Sequence, residues 1–588
     1  MFLPSLRRGV DTLAPGHRRL MTAVSLALLA WLAYLNSLNN PFIFDDHRLI
    51  LENRSLVELN DLRAIVWRDV MRPLINLSYA ADLWIWGPRP IGFHVTNVLL
   101  HAVNVLWVFS LARVLALDAG RRSRGEAEPA VTSGADVVAI TAALFFAWHP
   151  MLTQAVGYIS GRSELLCAAL LLPAFLAARR FILGGGGRWL AAALALWLAS
   201  MTAKEVGAML PFLLLAYDRL VLVDEPARAR RRLLTLYLPW IGCTLLAAAV
   251  RVWILVNIEY PADRMDWTLA LVAVDAIRRY LLMLVHPAGQ SIFHALYPIA
   301  GLLDPRALVA LGTLAGVAAF AWAARRLDWL IPFGLCWFVL VLAPSSALFV
   351  MGRGEAFAEH RVYVACIGVF MAGGAIVQHV LTFVRVGPRQ IRWLAYIVLA
   401  VIGLQMVTRT FVRNAIWSSP VALWRESVDL APDHWLPRLM LAEVLREHVG
   451  CEAAEPEYRH AIALRPEESF ALKKLGECLV EMRRTPEAAQ VFRVLSETAP
   501  ASADGPTGLG IVAMLDGDVA ASRARLEEAI ARDPKTTLAR RLLATLEEPV
   551  DPAKTLRLCQ EVQAIAPGTA DAEWCAGRNA PRPPRGGG

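Results

Sequence analysis

Residues 92–109 read GFHVTNVLLHAVNVLWVF. Wound as a helix, such a run reaches roughly 27 Å at 1.5 Å per residue, close to the ~30 Å of a bilayer's hydrocarbon core. It is apolar apart from a few residues, and four of these stand out. His94, Asn97, His101 and Asn104 are spaced by three, four and three, so they share one helical face. A polar stripe cannot face lipid. It faces either hydrogen-bond partners on neighbouring helices or the wall of a cavity. The cavity reading makes His94, Asn97 and His101 lining residues, with His94 nearest the outer surface.

The same pattern recurs along most of the chain. Of 588 residues, 56% are hydrophobic and 19% charged, against about 45–50% and about 25% in an ordinary soluble domain. Eleven spans are predicted, near 20–38, 93–115, 135–149, 164–180, 187–203, 206–221, 233–256, 305–323, 329–350, 362–380 and 391–410. The first is read as a retained helix, because no small-residue cleavage site follows it. The stretch 270–287 is set aside. Asp275, Arg278 and Arg279 would lie mid-bilayer at about 2.5–3.5 kcal/mol each, so an amphipathic interfacial helix is expected.

The net charge of +8 is spread over short loops between spans. Arginines there set orientation, and a nucleic-acid partner is not expected. With Arg7, Arg8, Arg18 and Arg19 inside, the loops carrying Arg121–Arg124, Arg228–Arg232, Arg325–Arg326 and Arg385–Arg392 also fall inside. The first loop, residues 39–92, and the tail then face outward. That means a bacterial inner membrane with a periplasmic tail, or an ER membrane with a lumenal one.

The tail has a different period. Pro432, Pro466, Pro500 and Pro534 are 34 residues apart, each eight residues after Trp424, Tyr458, Phe492 or Leu526. Ala442, Gly476, Gly510 and Ala544 supply a small residue ten positions after each proline. This is the spacing of tetratricopeptide repeats, which stack helix pairs into a superhelix with a groove suited to extended peptides. The expected fold is all-α: a polytopic membrane bundle over residues 1–410, a repeat solenoid over 411–570, and a disordered tail over 571–588. Eight cysteines form no CxxC pair, which argues against zinc and thioredoxin chemistry. Cys167, Cys243, Cys336 and Cys366 read as packing residues; the four tail cysteines could form disulfides only in an oxidising compartment.

Ionisable residues gather at the predicted outer level. The first loop opens on NPFIFDDHRLI (40–50), with Asp45 and Asp46 adjacent. His149, Gln154, Arg162 and Glu164 follow the third span, and Lys204 and Glu205 follow the fifth. Arg353, Glu355, Glu359, His360 and Arg361 precede the tenth. Any one of these could be an interfacial residue whose head reaches water. Together they suggest a pocket in which His149, Glu164 and Glu205 are lining residues. Carboxylates suit a general base, and cations suit a phosphate-bearing ligand.

FIFDDHRLILEN, MRPLINLSYAADLWIWGPRPIGFHVTNVLLHAVNVL, HPMLTQAVGYISGRSELLCA, TAKEVGAMLPFLLLAYD, APSSALFVMGRGEAFAEHRVYV and TRTFVRNAIWSSPVALWRESVDLAPDH occur in that order. The set resembles the transmembrane and tetratricopeptide repeat (TMTC-type) O-mannosyltransferases, which are GT-C membrane glycosyltransferases. The resemblance covers residues 20–440 and the repeat tail. It implies a polyprenyl- or dolichyl-phosphate sugar donor, typically of mannose, and a protein Ser or Thr hydroxyl as acceptor. It implies Asp45 as the catalytic acid of the first outer loop, with Asp46 as its partner. Arg162, Lys204 and Arg361 are the cations it offers to the leaving phosphate. No metal is then required, although the aspartates could bind one. The family often has two arginines where this chain has His360–Arg361. A flippase for lipid-linked sugars and a non-catalytic scaffold presenting the repeats are the competing readings.

Overall fold

A computed structural model describes residues 15–56, 61–124, 132–222, 226–254, 257, 268–350 and 357–579. Arg7, Arg8, Arg353 and Glu355 lie outside the described residues. Among the described residues there are helices and turns but no strand. The chain divides into two units, Met1–Pro420 and Val421–Gly588. The second begins ten residues later than expected, because the last helix of the first unit, Arg389–Ile416, runs past position 410.

The described residues of the eleven predicted segments are mostly helical. Among the described residues six helices are long and apolar enough to cross a membrane unaided: Pro90–Ser123, Ile159–Ile182, Pro226–Ile254, Pro305–Ala324, Glu359–Arg385 and Arg389–Ile416. A seventh candidate is a bent pair, Gly134–Trp148 and Pro150–Gly157, which meet at 54°. Gly187–Met201 and Leu330–Ser346 are shorter apolar helices. The segment set aside is the helix Thr268–Val285, amphipathic as expected. Val272, Ala276, Tyr280 and Leu284 are buried, and Asp275 holds both Arg278 and Arg279.

Small residues let the helices approach. A Cβ on Gly334 would stand 2.2 Å from the carbonyl oxygen of Gly368, and one on Gly368 equally close to that of Gly334. Leu330–Val350 and Val362–Arg385 therefore touch backbone to backbone, as small residues permit in membrane bundles. The bend after Trp148 has a local cause. Pro150 cannot continue the helix, and the His149 ring accepts the Met151 N–H to start the next turn.

The first loop is more structured than a bare connection. It contains the helices Leu62–Trp67 and Pro73–Trp86, with Trp67, Trp84 and Ile85 largely exposed.

In the second unit the pairs Trp435–His448 with Cys451–Leu464, Ser469–Glu481 with Thr485–Thr498, Asp504–Leu515 with Val519–Arg532, and Thr537–Glu547 with Pro552–Ile565 follow one another. The repeat signature has a direct steric meaning here. A Cβ on Gly476 would meet Phe492 at 2.5 Å, and one on Gly510 would meet Leu526 at 2.8 Å. The expectation of disorder from 571 is corrected. Ala570–Asn579 is a helix, with Ala572 and Cys575 buried and Asp571 paired to Arg541 at 2.6 Å. It covers the apolar face that the last full repeat would otherwise leave open.

Candidate functional site

The acid pair sits on a sharp corner. Phe44 has φ of 52°, the left-handed region, which costs a non-glycine residue about 1–3 kcal/mol and persists only where the surroundings enforce it. Here they do. The Asp45 N–H donates to the Tyr158 hydroxyl at 3.0 Å, and the Tyr158 ring stacks on Trp417 at 5.5 Å. The C-terminal part of Arg389–Ile416 holds the approach to the loop as well: Asn36 donates to the Phe411 carbonyl at 2.8 Å, and Asn414 to that of Ala33 at 3.4 Å.

The two aspartates have different surroundings. Asp46 is 1% exposed and accepts from the Ile43 N–H at 3.0 Å, the Ser160 N–H at 2.9 Å and the Ser160 hydroxyl at 2.5 Å. Burial pushes its carboxyl up to about 7, against the pull of those three donors. Its Oδ1 holds the loop to the 159–161 turn and its Oδ2 closes the loop's own turn on Ile43, so the catalytic role expected for Asp46 becomes a positioning one. Asp45 is half-exposed, with the Arg48 guanidinium 3.6 Å from its carboxylate. It is the acid of the pair that a hydroxyl could approach.

The expected phosphate-binding cations also separate. Arg162 is fully buried and engaged on several sides. It pairs with Asp82 at 2.6 Å, donates to Asn97 at 2.8 Å and to the Phe93 carbonyl at 2.9 Å, and lies over the Tyr79 ring. Lys204 is buried against Glu164 at 2.5 Å. Neither presents a surface to a phosphate in this conformation, and both roles are corrected to structural ones. Of the three, Arg361 alone stays half-exposed. Its turn is placed by Glu359, whose oxygens accept from Gln290 at 3.0 Å, the Ser291 N–H at 2.7 Å and His294 at 2.9 Å. The His360 N–H donates to Gln154 at 2.8 Å, tying this turn to the 153–157 segment.

Glu205 pairs with Arg72 at 2.9 Å. Burial opposes its charge, but Arg72 and Lys204 prevail and hold it down to about 2. The other Glu164 oxygen, Oε2, is buried without a hydrogen-bond partner.

The polar stripe is a zipper rather than a cavity wall. His94 meets the Asn40 carbonyl at 3.0 Å, Asn97 meets the Tyr158 carbonyl at 3.2 Å, and Asn104 meets that of Leu165 at 2.9 Å. His101 meets the Tyr363 hydroxyl at 2.8 Å, and all four are at most 1% exposed. His149 is likewise buried, against the Leu284 carbonyl at 3.0 Å. His94, Asn97, His101, His149 and Glu164 are each at most 1% exposed, so lining roles are withdrawn for them. Glu205 keeps partial exposure.

Sequence reading missed Arg72, Asp82, Tyr158, Ser160 and Trp417. Asp82 carried a signal, as the one charged residue in the helix Pro73–Trp86. Tyr158 and Trp417 carried none. Among the described residues no three His, Cys, Asp or Glu side chains gather as a metal-binding group.

Fold and site together define a polytopic helical membrane protein that carries a tetratricopeptide-repeat solenoid. The resemblance to the TMTC-type family is borne out by curated relatives, although no family model matches the chain. Protein O-mannosyl-transferase Tmtc3 of Drosophila melanogaster is 24% identical over 608 residues, covering 90% of this chain and 65% of that protein. Human protein O-mannosyl-transferase TMTC3 is 24% identical, covering 84% of this chain and 58% of that protein. Drosophila Tmtc1 is 31% identical over 218 residues, 35% of this chain and 23% of that protein. The chain thus spans less than two thirds of these relatives' length. Among solved structures, a thermophilic TPR protein of Thermus thermophilus is 19% identical, covering 30% of this chain and 95% of that one, with a TM-score of 0.25.

Proposed function

We propose that this protein is a GT-C glycosyltransferase that moves a sugar, mannose by analogy with its relatives' names, from a polyprenyl-phosphate carrier to a protein Ser or Thr hydroxyl. The observation that carries the reading is Asp45: a half-exposed carboxylate on a strained corner, its main chain pinned by Tyr158. The acceptor oxygen attacks the sugar C1 with inversion, and its proton passes to the Asp45 carboxylate. The bond from C1 to the phosphate oxygen breaks, and its electron pair leaves with the lipid phosphate. Arg361 stabilises that charge, with no metal in the step. Glu164 and Lys204 support the Arg361 side of the site as a buried pair.

The repeats bind the acceptor polypeptide. The proposed sidedness places the first loop and the repeats outside the cytoplasm, periplasmic in a bacterium or lumenal in the ER. Two features support it. In the eleven-span reading, four arginine-rich loops fall on the same side as the N-terminal arginines. Four cysteines of the second unit are paired, Cys451 with Cys478 and Cys559 with Cys575, while the four of the bundle are free. Disulfides persist on the oxidising side of a membrane.

The test is sugar transfer from mannosyl polyprenyl phosphate to a Ser/Thr peptide by purified full-length protein and by Asp45→Asn. Transfer by the unchanged protein and its loss in Asp45→Asn is the expected result. Equal transfer by both removes Asp45 as the base. Peptide binding by the repeats with no transfer by either form favours the scaffold reading.

A further inference from the structure

A cavity of about 510 Å³ lies far from Asp45. Its walls are the C-terminal end of Pro90–Arg124, the N-terminal end of Thr132–Trp148, the C-terminal end of Val362–Arg385 and the turn at residues 326–328. His94 marks the Asp45 end of Pro90–Arg124, through its bond to the Asn40 carbonyl. Gly120, which lines the cavity, is about 26 residues further along, roughly 39 Å at 1.5 Å per residue. That exceeds the ~30 Å hydrocarbon core, so the cavity opens at the opposite face of the bundle.

Most arginines at this end are occupied. Arg113 pairs with Asp136 and Arg179 with Asp118. Arg122 lies 4.1 Å from the Trp329 ring centre, and Arg325 lies 3.3 Å from that of Trp322. Arg326 and Arg385 differ. Both line the cavity, both are exposed, and neither guanidinium has an ion pair or hydrogen bond among the described residues. Among the described residues of the lining the one acid is Asp328, 3.5 Å from His379. His379 Nε2 is buried with no hydrogen bond. Leu117, Val138 and Leu381 give the wall an apolar part, beside the polar side chains of Ser123, Gln378 and Thr382. Two cations without a partner among the described residues, over a partly apolar recess and beside interfacial tryptophans, match an amphiphile with an anionic head. The volume falls within the ~300–1,000 Å³ typical of small-ligand sites.

We propose that this cavity binds the phosphate head of an anionic membrane phospholipid, with Arg326 and Arg385 as its charge-assisted donors. The site lies at the far end of the bundle from Asp45 and does not depend on the transfer reaction.

Native mass spectrometry of the full-length protein tests this, with dioleoylphosphatidylglycerol as the probe, dioleoylphosphatidylcholine as the neutral control and inorganic phosphate as competitor. The expected result is phosphatidylglycerol retained over phosphatidylcholine, undisplaced by millimolar phosphate, and weakened about tenfold in Arg326→Gln/Arg385→Gln. Both arginines are exposed, so that variant should keep the wild-type unfolding temperature. The neighbouring Arg325→Gln, whose guanidinium covers Trp322, should bind as wild type. Three results would each overturn the proposal: no preference for the anionic lipid, equal loss in Arg325→Gln, or displacement by inorganic phosphate, which would make the site one for the free ion.

Discussion

The hydroxyl of Tyr158 accepts the backbone N–H of Asp45 at 3.0 Å across 113 residues of sequence. One side chain thus holds the corner on which the candidate base stands. Trp417 holds that side chain in turn, by stacking on its ring. Tyr158→Phe keeps the stack and removes the acceptor. The Asp45 N–H is part-buried, so leaving it unsatisfied costs less than the ~1–3 kcal/mol of a fully buried donor, and the strained Phe44 loses a restraint. The turnover number should fall about tenfold, equivalent to ~1.4 kcal/mol, with little change in KM. Amide exchange over residues 40–48 should quicken, which hydrogen–deuterium exchange reads without any activity assay. Unchanged exchange and turnover would show that the contact does not position Asp45.

Asp46 should leave a pH signature. Burial raises its carboxyl from 3.8 to about 7. Between those values the folded chain keeps a proton that the unfolded chain has released. Stability from this group therefore falls as pH rises through that window and levels off above it. Asp46→Asn cannot titrate. The wild-type unfolding temperature, taken relative to Asp46→Asn, should decline from pH 5 to pH 8. A difference that stays constant over that range would show that Asp46 is ionised throughout.

The Glu164–Lys204 pair should behave as a unit. Both side chains are at most 5% exposed, and the nitrogen–oxygen distance is 2.5 Å. Lys204→Met leaves a buried carboxylate uncompensated, at about 3–5 kcal/mol. Glu164→Gln/Lys204→Met removes both charges and should recover most of that loss. A double-mutant cycle of thermal unfolding measures it, and additive losses would contradict the pairing.

Gly476→Ala should loosen the second unit. The added methyl would lie 2.5 Å from the Phe492 ring, and overpacking of this kind costs about 1–3 kcal/mol. Limited proteolysis of the full-length protein should show earlier cleavage within residues 469–498. Phe492→Leu in the same chain should restore part of the resistance by shrinking the ring.

Much of the architecture is legible in the residues because it is local. A 34-residue period, apolar runs of membrane length and a small residue opposite a bulky one are patterns along the chain. Each constrains a neighbour within one or two helices. The polar stripe of Pro90–Arg124 shows where this legibility ends. Its spacing establishes that His94, Asn97, His101 and Asn104 share a face. Whether that face lines space or meets other backbones depends on what packs against it, and here the 156–165 segment and Tyr363 fill it. The acid pair behaves the same way. Adjacent aspartates look equivalent as letters, and only the 159–161 turn closing over Asp46 separates an anchor from a reachable carboxylate.

Patterns along the chain were thus enough for an all-helical membrane bundle, a repeat solenoid after it in the chain, and a first loop with two adjacent acids as the place to look. Periodicity and composition suffice for that, because helix formation and the partition of apolar surface act over a few turns. Which charges are spent emerges only once the helices have packed. Arg162 meets Asp82, Lys204 meets Glu164 and Arg72 meets Glu205 across 80, 40 and 133 positions. Coulomb attraction in a low-dielectric interior depends on distance in space, and that distance is set by helix packing rather than by position in the chain.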